Sequence, residues 1–111
     1  MRGSALLVML ALFPSVSLVA APTAEHGMKV FAERKCSLCH SVAAKGNLKG
    51  PLDEVGRTRT GDEIRQWITK PQEMADKAKA TRKPPMKGFT DLSKDDLDGL
   101  VAYLLTLKSA K

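Results

Sequence analysis

Apolar residues in this chain recur mostly at helical spacing, and no alternating pattern of useful length marks a β-strand. Met28, Phe31 and Ala32 share one face of a stretch from about Ala24 to Lys35, which predicts a first amphipathic helix. Ile64, Trp67 and Ile68 form the apolar face of a second. It opens at Thr60-Gly-Asp-Glu63, a capping-box pattern in which threonine and glutamate reciprocally satisfy free N–H groups, and Pro71 stops it. A short helical piece is expected over Gln72 to Ala80. The clearest pattern comes last: Leu97, Leu100, Val101, Leu104 and Leu107 lie at helical spacing behind Ser93, a good N-cap. Asp95 and Asp96 favour the positive end of that helix and Lys108 suits the negative end. Gly99 costs about 1 kcal/mol relative to alanine in mid-helix, which implies close approach of another backbone. The predicted class is all-α, with three to five short helices.

Two stretches must be irregular. Ser41 to Arg59 is punctuated by Gly46, Asn47, Gly50, Pro51 and Gly56, and long loops of this kind are usually functional. Lys83-Pro-Pro-Met86 leaves the helix, because each proline pushes its predecessor toward extended geometry.

The N-terminus follows a different pattern. Arg2 precedes an apolar run from Ala5 to Val19, Pro14 interrupts it, and the small residues Ala20 and Ala21 follow. Residues 1–20 read as a secretory signal that directs the protein to the periplasm. Cleavage between Ala20 and Ala21 fits best, since a cut after Ala21 would place Pro22 beside the scissile bond. The competing reading is an uncleaved anchor, for which the run is short against the span of about 17–25 residues that a bilayer needs.

Removing residues 1–20 from the 111 leaves 91, a single domain over residues 21–111. A core that small commonly needs a staple such as a metal or disulfide. Only four aromatics remain: Phe31, Trp67, Phe89 and Tyr103. The net charge of +6 becomes +5 without Arg2, an excess that bears on partners rather than fold. Nucleic acid is not expected as a partner of an exported chain that lacks a stacking-aromatic motif.

Cys36-Ser-Leu-Cys39-His40 carries most of the chemical weight. Thiols three residues apart on one turn can reach the two vinyl groups at one edge of a porphyrin, and the next histidine then points at the iron. This is a haem c attachment pattern, with Cys36 and Cys39 as thioethers and His40 as an iron ligand. A zinc site would need further ligands, and only His26 remains. A thioredoxin-like dithiol would sit beside a βαβ pattern, which is absent. A plain disulfide leaves His40 and the thin core unexplained.

A second iron ligand is sought among Met28, Met74 and Met86. Met86 follows two prolines that hold the chain extended at low entropic cost, a sensible way to present a weakly binding thioether. Met74 falls in an expected helix, Met28 sits where methionine is more often core filler, and His26 is a remote alternative. Met86 is the preferred ligand, and a Met/His pair raises the reduction potential.

In this order the features resemble class I cytochromes c, specifically the small bacterial monohaem type. They are Gly27 and Phe31, the attachment motif, Gly50-Pro51-Leu52, Gly56-Arg57, Pro-Pro-Met86, and Leu100 with Tyr103. The resemblance covers roughly Gly27 to Lys108. It implies that the first and last helices cross nearly at right angles, with Gly27 and Phe31 packed on Leu100 and Tyr103. It implies that Leu52 belongs to the haem site and that the Pro51 carbonyl accepts the His40 Nδ1 proton. It implies that Arg57, together with Trp67 through its indole N–H, contacts haem propionates; otherwise Arg57 is a solvated charge and Trp67 plain core. Two positions depart from the family pattern. Phe31 lies five residues before Cys36 where four is more usual, and Lys87 stands where proline is frequent after the methionine.

Function then narrows to a monomeric one-electron carrier rather than an enzyme, with the small haem subunit of a dehydrogenase or oxidase as the alternative. A peroxidase-like site would need distal acid/base groups, and a sensor would need an output module. Lys77, Lys79, Arg82, Lys83 and Lys87 cluster around Met86 with Asp76 as the only nearby acid, which suits redox partners with an acidic docking surface. Membrane contact is expected only through a retained signal or a membrane-bound partner.

Overall fold

The computed structural model describes residues 3–15 and 22–109. Among these the fold is all-α. Its helices are α1 (Ala24–Glu33), α2 (Val55–Thr58), α3 (Gly61–Thr69), α4 (Pro71–Ala78) and α5 (Lys94–Leu105). A 3-10 turn occupies Cys36–Leu38, and two residues each of β1 (Ser41–Val42) and β2 (Lys45–Gly46) pair antiparallel within the expected loop.

The helix starts lie where capping chemistry puts them. Thr60 accepts from the Glu63 N–H at 3.2 Å while Glu63 accepts from the Thr60 N–H at 3.3 Å, the reciprocal box read from sequence. Ser93 accepts from the Asp96 N–H at 3.1 Å, and Thr23 caps α1 through the His26 N–H at 3.1 Å. Pro71 ends α3 and opens α4 at its first position, where its missing N–H is not needed. Helix α5 stops at Leu105, so Leu107 and Lys108 lie beyond it rather than in its last turn.

The core comprises Val30 from α1, Ile64 and Ile68 from α3, and Leu100, Val101 and Leu104 from α5. Helices α1 and α5 meet backbone to backbone. A β-carbon on Gly27 would overlap the Gly99 carbonyl, and one on Gly99 would stand 2.7 Å from His26 Cδ2. Phe31 meets Tyr103 edge to face, with ring centroids 5.7 Å apart and planes at 72°. The five-residue spacing from Phe31 to Cys36 is absorbed after α1, where Lys35 turns left-handed (φ 56°) before the attachment turn begins.

Residues 3–15 form neither helix nor strand, and Leu6, Leu7 and Phe13 are 88, 90 and 86% exposed. The expected cleavage position between Ala20 and Ala21 lies outside the described residues. Among the described residues no helix is long and apolar enough to cross a membrane.

Candidate functional site

The 3-10 turn draws the attachment residues together. The N–H groups of Cys39 and His40 both donate to the Cys36 carbonyl, at 3.2 and 2.9 Å. Cys36 and His40 are half-buried and Cys39 is exposed. Burial pushes the Cys36 thiol up from its ordinary range, the reverse of the low-pKa thiolate that a dithiol oxidoreductase uses. Among the described residues no three His, Cys, Asp or Glu side chains converge, and His26 is bonded to Asp96 at 2.8 Å.

Behind the turn lies a cavity of about 220 Å³, walled by apolar side chains that include Phe31, Leu52, Ile64, Leu100 and Leu104. An outer cleft of about 540 Å³ adjoins it. Cys36, His40, Trp67, Met86 and Phe89 border both spaces, and Cys39 borders the outer one.

His40 Nδ1 donates to the Gly50 carbonyl at 3.0 Å, which leaves Nε2 with its lone pair free for a metal. Burial holds the imidazole below its ordinary range, the Gly50 carbonyl works against this, and the Arg82 charge adds to it. The ring is therefore neutral at pH 7, as a metal ligand must be.

The acceptor corrects the expectation for Pro51. Ser41 forms a parallel bridge to Pro51, in which the Ser41 N–H donates to Gly50 O at 3.0 Å and the Leu52 N–H to Ser41 O at 2.9 Å. Successive carbonyls of an extended chain face opposite sides. The pairing thus turns Gly50 toward His40 and Pro51 away.

Arg57 lies apart from the cavity. It sits in the last turn of α2, with Nε 3.0 Å from Glu54 and Nη2 donating to the Ser109 carbonyl at 2.6 Å. Arg59 lines the cavity instead, with its guanidinium 5.2 Å from the centroid of the Trp67 ring. Sequence reasoning missed Arg59, although a signal was present: it immediately precedes the α3 cap, at the end of the helix that carries Trp67, and lies four residues before Glu63, with which it pairs at 3.5 Å. Trp67 Nε1 is buried without a hydrogen-bond partner among the described residues. A buried unsatisfied donor is costly, so its position at this cavity calls for an acceptor from a bound group.

Of the three candidate methionines, Met86 borders the cavity, Met74 does not, and Met28 is 55% exposed on α1. Lys35, Arg82, Lys83 and Lys87 edge the outer cleft, whereas Lys77 and Lys79 do not line it. Asp76 is held by Gln72 at 2.9 Å.

The donor set fits a haem. Cys36, a neutral histidine and a methionine line one apolar hollow, Cys39 borders the adjoining cleft, and an orphaned N–H with a guanidinium beside it can meet carboxylates.

Comparison with known proteins agrees with this reading. The chain matches the family described as Cytochrome c over residues 24–108. It is similar to cytochrome c oxidase subunit 2 of Alkalihalophilus pseudofirmus, 33% identical over 94 residues. That similarity covers 77% of this chain and 26% of the relative, so the chain spans about a quarter of that protein's length. No solved structure gives a significant match.

Proposed function

The chain belongs to the cytochrome c family, and on that premise we propose that it is a one-electron carrier with a Met/His-ligated haem, serving exported or membrane-bound redox partners. Haem c with its iron is the family's covalently bound cofactor, and it supplies a reversible one-electron couple. The observation that carries the finer reading is the shared placement of His40 and Met86 on one apolar cavity.

Each residue then has a task. Cys36 and Cys39 fix the macrocycle as thioethers, and His40, oriented by the Gly50 carbonyl, ligates the iron. Met86 completes the coordination, and apolar side chains such as Leu52 and Phe31 keep water away. Trp67 N–H and Arg59 take the carboxylate side. A closed coordination shell favours passing electrons over chemistry on a bound substrate.

The basic edge formed by Lys35, Arg82, Lys83 and Lys87 suits a partner with an acidic face, which it would steer toward the cleft. Residues 1–20 act as the export signal of a periplasmic monomer, a reading supported by the exposed, unstructured course of residues 3–15 outside the packed core. The similarity to an oxidase subunit favours a second reading, in which the domain is the haem module of a larger redox complex.

Isolation from the periplasm, followed by mass measurement and redox spectroscopy, tests the proposal. It predicts a mature chain beginning at Ala21, one covalently retained haem and a reversible one-electron couple in a free monomer. A haem lost on acid extraction contradicts the attachment, and co-purification in a stable complex replaces the carrier with the subunit reading.

A further inference from the structure

The segment that carries Met86 is tied down at two places. At its C-terminal end the Phe89 N–H donates to the Ile68 carbonyl at 2.9 Å, and Gly88 lies against the Thr69 carbonyl and the Pro71 ring. Between Ala80 and Phe89 the backbone makes no hydrogen bond to the rest of the described chain. On that side the tie is a side chain. Arg82 Nη2 donates to the carbonyl of Cys39, in the attachment turn, at 2.6 Å.

The same guanidinium rests on Gly50. A β-carbon there would overlap Arg82 Nη1 and the Cys39 carbonyl, so glycine makes room for the contact. Gly50 is buried, and its carbonyl is the one that holds His40 Nδ1. Arg82 therefore joins the methionine segment to the backbone that positions the histidine. A planar fork can donate with one nitrogen while the other lies against the glycine, which an ammonium cannot do.

We propose that Arg82 is a positioning residue: a latch that holds the Met86 segment closed against the attachment turn through the Cys39 carbonyl. The proposal rests on Met86 being the second iron ligand. Opening of the latch frees the end of the segment that lacks backbone ties, and the methionine side of the iron becomes accessible to an added ligand.

Imidazole titration of the ferric holoprotein tests this, using wild type, Arg82→Ala, Arg82→Lys and the exposed charge control Lys49→Ala. Loss of a single charge-assisted hydrogen bond is expected to tighten imidazole binding about fivefold in Arg82→Ala. Arg82→Lys, which keeps one donor, falls between, and Lys49→Ala stays within about twofold of wild type. Unchanged affinity in both Arg82 variants overturns the latch, as does an equal change in Lys49→Ala. Urea midpoints on the same samples separate a local from a global effect: affinity gains that merely track lost stability also overturn it. A wild-type spectrum without the far-red band of methionine ligation fails the Met86 reading and the latch with it. A wild-type band with unchanged Arg82→Ala affinity fails the latch alone.

Discussion

Gly27 in α1 presses on the carbonyl of Gly99 in α5, so that no side chain separates the two backbones where the helices meet. That contact places Phe31 against Tyr103 and sets Phe31 and Leu100 into the wall of the cavity. His26, bonded to Asp96 at 2.8 Å, packs beside the same point. The histidine left over by the attachment motif thus belongs to the helix junction.

The two glycines should differ in tolerance. Gly27→Ala drives a methyl into backbone, which has nowhere to go, and about 3 kcal/mol of stability is expected to be lost. Gly99→Ala meets the edge of an imidazole that can shift, and alanine returns about 1 kcal/mol of helix propensity, so the net loss should be smaller. Urea denaturation of the holoprotein measures both, and equal losses would show that the helices do not meet as described.

Trp67 makes a sharper claim about the cofactor. Its buried Nε1 proton has no acceptor among the described residues, so the holoprotein should show this proton hydrogen-bonded and slow to exchange. Trp67→Phe keeps an aromatic ring and removes the donor; a hydrogen bond to a charged group makes the expected loss about 1.5–3 kcal/mol. Rapid exchange of the indole proton would mean that no carboxylate sits there.

Asp91 ties the segment after Phe89 to the end of α1 through Arg34, at 2.8 Å. Hydrogen bonding to Arg34 holds its carboxyl below the ordinary 3.8. A depressed folded-state value means that the pair's contribution is present above 3.8 and is lost as pH falls through the folded value. Asp91 is exposed and Arg34 half-buried at the surface, where solvent screens the pair, so the effect is small. Denaturation midpoints of wild type and Asp91→Asn should therefore differ slightly at pH 7 and converge in strong acid. A gap that widens toward low pH would contradict the assignment.

Helix positions were legible because their signals are local. Thr60 with Glu63, Ser93 with Asp96, and the apolar face from Leu97 to Leu104 need no tertiary context, and the attachment motif pointed to its cofactor once the rest of the chain had argued against zinc, a dithiol and a plain disulfide. Gly99 announced a close backbone without naming it, and the fold supplies Gly27. What the sequence could not resolve was direction. Whether Gly50 or Pro51 faces His40 depends on how a loop pairs with Ser41. Whether Arg57 or Arg59 faces the cavity depends on the single turn of α2. Arg82 was readable as charge, but its hydrogen bond spans the chain and leaves no local trace.

The basic edge of the outer cleft predicts a kinetic signature. Stopped-flow electron transfer to an acidic redox partner should slow by roughly an order of magnitude as salt rises from low to high ionic strength. Removing Lys83 and Lys87 together should flatten that dependence. A rate indifferent to salt would leave these lysines as ordinary solvated residues.

The central claim is that Met86 and His40 share one iron, and the far-red charge-transfer band of ferric haem with methionine ligation reads it directly. Met86→Ala is expected to abolish the band and open the iron to added ligands, while Met74→Ala leaves it intact. A band that survives Met86→Ala and disappears in Met74→Ala would contradict the account.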